Sequence, residues 1–155
     1  MSHLLWTLLQ DAFFAAIPAI GFGMLFNVPP RALHYCAIGG ALGHSLRTLL
    51  MHFGLSIEMG TFIAAVMIGF LGVHWSRKFL APRPVFTVPS IIPMVPGVFA
   101  FKAMISLVAL NTDGFTQELF HVAIQNSLKA FFILAALSYG LTLPSLLLYR
   151  DKPIV

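Results

Sequence analysis

Within the apolar run from Phe86 to Leu110, long enough to cross a membrane, the stretch PSIIPMVPG (Pro89 to Gly97) carries three prolines and a glycine. Each proline lacks a backbone donor and crowds the preceding turn, so Pro89, Pro93 and Pro96 predict a span that breaks. Groups freed by a break need partners, and in hydrocarbon irregular backbone survives only where protein covers it or where it lines a watery cavity. The break reads either as a kink that shapes packing or as a solute site of the kind transporters build from half-helix ends near the bilayer midplane. Pro93, Pro96 and Gly97 are the backbone candidates for such a site.

Composition places the chain in a membrane. It is 59% hydrophobic and 9% charged over 155 residues, with a mean hydropathy of +0.91, against roughly 45–50% and 25% for a soluble domain. At about 20 apolar residues per span, the length accommodates several helices with short loops, and the reading is one transmembrane domain over 1–155. The single cysteine, Cys36, excludes an internal disulfide and a multi-cysteine metal site. The net charge of +4 is spread in ones to threes between apolar runs, which points to membrane topology and to no nucleic-acid partner. The N-terminal run has no basic n-region and no A-x-A site, so no cleaved signal is expected. No P-loop, H-E-x-x-H, G-x-S-x-G or dinucleotide fingerprint occurs. The chain reads as no enzyme, with no cofactor.

Five transmembrane helices are expected in an all-α membrane protein. The first runs from about Leu4 to Phe26 and stops at Asn27 and Pro29-Pro30. The second, Ala32 to Phe53, is diluted by His34, Arg47 and His52, and its Gly39 and Gly43 suit close helix packing. The third is Met59 to Trp75, the fourth is the broken Phe86 to Leu110, and the fifth lies within Leu119 to Tyr149. With five spans, Arg31, the group Arg77, Lys78 and Arg83, and the pair Arg150 and Lys152 share one side, while Glu58, Asp113 and Glu118 share the other. The positive-inside rule then puts the N-terminus in the periplasm and the C-terminus in the cytoplasm. Trp6, Trp75, Tyr139 and Tyr149 read as interfacial anchors. An odd span count also means that a second such unit joined to this one would lie inverted, as in inverted-repeat transporters.

Three basic residues, Arg47, Lys102 and Lys129, fall inside predicted spans, where a charge costs from about 2.5 kcal/mol upward. Lys102 follows Gly97 closely, so an anion there would meet an ammonium and helix-terminal N–H groups; the alternative is that Lys102 and Lys129 snorkel toward the interface. Asp11 is the one acidic residue deep in a span, either a carrier of a coupling proton or a counter-ion of Arg47. His44 shares a helix face with Arg47 and reads as a proton carrier or a helix–helix hydrogen bond. No histidine spacing makes a metal site.

The ordered set FNVPPRAL, CAIGGALGHSLR and VPSIIPMVPG, followed by Lys102-Ala103-Met104, resembles the small YjjB-type membrane subunit of the threonine/serine exporter family over about Asp11 to Tyr149. The resemblance implies a bacterial inner-membrane export system in which a YjjP-type membrane subunit supplies the other half, the split pair exporting succinate and fused relatives exporting threonine and serine. A small dicarboxylate suits Arg47 and Lys102 as substrate contacts, whereas an amino acid would also ask for Asp11. Three readings stand side by side: a succinate exporter subunit, a threonine/serine exporter subunit, and a scaffold without its own substrate path.

Overall fold

The computed structural model describes residues 2–148; Tyr149, Arg150 and Lys152 lie outside them. The described residues form helices α1 (Ser2–Leu25), α2 (Pro30–His52), α3 (Ile57–Phe79), α4 (Pro84–Ile91), a 3-10 turn (Ile92–Met94), α5 (Gly97–Thr112) and α6 (Gln117–Leu148), and no strand. The chain is an all-α membrane protein. Two compact units divide it: residues up to Met94 together with those from Ala136 onward, and Val95–Ala135.

Helix boundaries follow local chemistry. α1 ends in a Schellman motif, Asn27 standing at φ 55° while the Val28 N–H donates to Gly23 O at 2.9 Å and the Asn27 N–H to Met24 O at 3.1 Å. Asparagine is one of the few residues that tolerates this left-handed corner. Pro30 then opens α2, where a missing N–H costs nothing. Ser56 caps α3 by accepting from the Met59 N–H at 3.3 Å.

In the first unit α2 is the hub, packing against α1, α3, α4 and the 3-10 turn. That explains why its hydropathy is low for its length: most of it meets protein, apart from an exposed stripe at His34, Ile38 and Leu42, and its buried residues are Ala32, Cys36, Gly39, Gly40 and Gly43. A Cβ on Gly39 would lie 2.8 Å from Ser90 Cβ, and one on Gly43 3.1 Å from Met94 Cε, so these glycines set how closely α4 and the turn approach. α6 meets α3 the same way, Gly69 beneath Pro144 and Gly140 against Ala65 and the Phe62 carbonyl. α1, α3 and α6 are long and apolar enough to cross a membrane, and the helices flanking the break add a fourth if they count as one span. α2 has a span's length, 23 residues like α3, but is too polar to pass on its own.

Two expectations need correction. Pro89 does not break the helix, since α4 runs through it to Ile91. Trp75 is no interfacial anchor: it is 8% exposed and packs on Tyr35 and Phe86 with ring centroids 5.2 Å and 6.0 Å away. Its cluster includes Val28, Ala32 and Cys36 with Ala81 and Val85 alongside, which brings the loop before Arg31 and the loop before Arg83 to one end of the unit. Trp6 and Tyr139 are exposed.

Candidate functional site

The break falls at Pro93 and Pro96. α4 gives way to the tighter Ile92–Met94 turn, and Pro96, at φ −79° and ψ 52°, sits at the centre of an inverse γ-turn in which the Gly97 N–H donates to Val95 O at 2.8 Å. α5 then starts at Gly97. Helix continuation would have satisfied the carbonyls on the α4 side from residues further on, and the break removes those donors.

α2 supplies replacements. Arg47 Nη1 donates to Met94 O at 3.1 Å, the last carbonyl of the 3-10 turn. Its other terminal nitrogen, Nη2, lies 2.9 Å from His44 Nδ1, so the ring nitrogen accepts and the imidazole orients the guanidinium. A planar fork with several donors suits this double duty better than an ammonium would. Three turns earlier on α2, the Cys36 thiol donates to Val85 O at 3.4 Å, the carbonyl that Pro89 cannot serve. Ser90 Oγ returns the bond to Cys36 O at 3.3 Å while also donating to Phe86 O at 2.7 Å.

Asp11 faces α2 from α1. Its Oδ2 accepts from Thr48 Oγ1 at 2.6 Å, next in sequence to Arg47, and its charge acts on both Arg47 and His44. The carboxylate therefore sits in the Arg47 environment, with its hydrogen bond going to the threonine.

The second unit holds Lys102. Lys102 lines a groove of about 430 Å³ with Gly97, Val98, Phe101, Ile105, Ser106 and Val122. Nothing lies within 4 Å of a Cβ built on Gly97, so the start of α5 is open there. The first N–H groups of a helix have no intrahelical acceptor, and this groove begins beside them. Lys129 is placed elsewhere, its Nζ 5.5 Å above the Phe99 ring, a cation–π contact. Among the described residues no group of three His, Cys, Asp or Glu side chains stands close enough to hold a metal.

Sequence reasoning missed Thr48 as the partner of Asp11, and Cys36 and Ser90 as the link between α2 and α4. The available signal was the run of polar residues on α2, too sparse to say what each one meets.

An uncharacterized protein of Haemophilus influenzae is 55% identical over 148 residues, covering 96% of this chain and 50% of that protein. The chain thus spans about half the length of the curated relative it matches. No solved structure matches. The family described as "Threonine/Serine exporter, ThrE" matches residues 11–147, a stretch that includes Asp11, α2, the break and the Lys102 groove. The chain belongs to the threonine/serine exporter family.

Proposed function

We propose that this chain is one half of an alternating-access exporter of small carboxylates in the bacterial inner membrane, with succinate as solute and a YjjP-type membrane subunit as the other half. The observation that carries the reading is the groove at the start of α5, where Lys102 stands beside open helix-terminal backbone. A carboxylate there gains a cation and N–H donors together. Within the first unit, Arg47 and Cys36 hold carbonyls of the proline-rich segment that could not be left bare in lipid.

That the Haemophilus relative is about twice the matched length supports a working unit larger than this chain. With Arg31, Arg77, Lys78 and Arg83 taken as cytoplasmic, the N-terminus lies in the periplasm. The spans in this reading are α1, α2, α3, the α4–α5 pair and α6, α2 being carried across by the helices that cover it. A second reading, export of threonine and serine, is favoured by the description of the family.

The test is efflux of labelled succinate, threonine and serine from proteoliposomes holding this chain, the YjjP-type subunit, or both. Succinate efflux that needs both, and that Lys102→Gln abolishes in an assembled pair, supports the first reading. Efflux of threonine and serine in its place supports the second. Full efflux from the partner alone makes this chain a scaffold and overturns both.

A further inference from the structure

The α1–α2 seam carries a polar stripe that solute binding at the Lys102 groove does not use. On α1, His3, Thr7 and Asp11 recur at every fourth residue, and on α2 so do His44, Thr48 and His52. Residues so spaced share a helix face. The two stripes run antiparallel and meet where Thr48 Oγ1 donates to Asp11 Oδ2 at 2.6 Å. Toward the helix ends they part, and His3, Leu4, Thr7, Thr48 and His52 line an open cavity of about 350 Å³. At ~30 Å³ per water, that is room for on the order of ten waters.

Past Asp11 the seam shuts. The stripe on α1 continues as Ala15 and Ala19, and that on α2 as Gly40. A Cβ on Gly40 would lie 2.7 Å from Ala19 Cβ and 3.1 Å from Ala15 O, so the two helices are in close contact there. Thr48 stands both in the cavity wall and against the Asp11 carboxylate behind it.

The chemistry of that group selects the ligand. A carboxylate repels an anion. A hard metal cation takes several oxygen ligands, and among the described residues no cluster of His, Cys, Asp or Glu could hold one. A single carboxyl behind one hydroxyl can take a proton. We propose that the His3–Thr7–Thr48–His52 cavity is a proton inlet and Asp11 the group it loads, with Thr48 as the relay. A hydronium, or an imidazolium of His3 or His52, gives a proton to Thr48 Oγ1 while Thr48 passes its own to Asp11 Oδ2. The hydroxyl is regenerated, the carboxylate becomes a neutral acid, and the donor is left one proton poorer.

The titratable groups facing Asp11 are His44 and Arg47 on α2, with His3 and His52 at the mouth. α4 and the 3-10 turn, which also pack on α1, carry none between Pro84 and Met94. Loading Asp11 removes the negative charge that acts on Arg47, and Arg47 grips the broken helix at Met94 O. Proton arrival is thereby connected to the element that must move. The inference rests on the exporter reading, in which this end of the seam faces the periplasm. A proton entering there runs down its gradient as the solute leaves.

Two measurements on the assembled complex test it. The first needs no transport: infrared spectra recorded as the pH is lowered should show a carboxylic-acid C=O band that Asp11→Asn removes, whose deuterium exchange is slowed in Thr48→Val and restored in Thr48→Ser. The second follows solute-driven proton flux in proteoliposomes with an entrapped pH dye. The flux should be lost in Thr48→Val and regained in Thr48→Ser. An Asp11 band that does not titrate, exchange unaffected by Thr48→Val, or solute efflux with no accompanying proton overturns the inlet. If the wild-type complex moves no solute at all, the exporter reading fails, and the infrared result still decides whether Asp11 takes a proton from the cavity.

Discussion

The Cys36 thiol lies 3.4 Å from the Val85 carbonyl, one turn before Pro89, and stands in for the amide hydrogen that the proline lacks. This is why α4 tolerates Pro89 in its interior. A thiol is a weak donor, yet in a place without water even a weak donor counts.

Replacing that thiol separates hydrogen bonding from packing. Cys36→Ala should lower the thermal stability of the purified protein by about 1–3 kcal/mol, the range for leaving a buried acceptor unsatisfied. Cys36→Ser, with a stronger donor of similar size, should retain most of it. Thermal unfolding in detergent compares the two, and equal losses would mean that only volume matters at this position.

Arg47 bridges α2 to the break, and the bridge depends on its fork. Arg47→Ala should cost about 1.5–3 kcal/mol, as expected for a hydrogen bond with a charged partner. Arg47→Lys should recover little of this, since a point charge cannot bond Met94 O and be steered by His44 together. The same unfolding measurement reads it, together with a trypsin or hydrogen-exchange probe of residues 89–97. Unchanged protection there would refute the bridge.

Lys102 and Gly97 should behave in the opposite way. Lys102 is exposed in its groove, and Gly97 has free space where a Cβ would go, so neither Lys102→Gln nor Gly97→Ala should lower stability. Both should impair efflux in the reconstituted pair, the first by loss of charge and the second by blocking close approach of the solute to backbone. Stable variants with full efflux would remove this groove from the solute path.

The glycines of the first two helices differ sharply. Gly40→Ala forces a methyl to within 2.7 Å of Ala19 Cβ, and overpacking of this kind costs about 1–3 kcal/mol. Gly21→Ala meets nothing within 4 Å and should stabilise α1 by up to about 1 kcal/mol through helix propensity. A side-by-side melt of the two variants checks both signs.

The sequence showed where helices stop, because prolines and asparagine act locally: Asn27 and Pro30 mark the first turn, and Pro93 and Pro96 the break. It misjudged Pro89 and Trp75 because their roles are set by neighbours distant in the chain, a thiol on α2 in one case and an aromatic cluster in the other. The importance of α2 was hidden for a related reason. Hydropathy reports what a helix needs from lipid, and α2 is largely covered by protein. Asp11, His44 and Arg47 could be picked out as costly intramembrane groups, but their bonds to Thr48 and Met94 exist only once helices pair.

The grip of Arg47 is on main chain, and this shapes how the protein can recover from its loss. No side-chain change at Met94 can supply or withhold the carbonyl that the guanidinium holds. In a genetic selection starting from a crippled Arg47 variant, second-site revertants are therefore expected on α2, where a new donor can arise, or at Pro93 and Pro96, where a backbone N–H can be restored. Position 94 should stay silent however deeply the revertants are sampled.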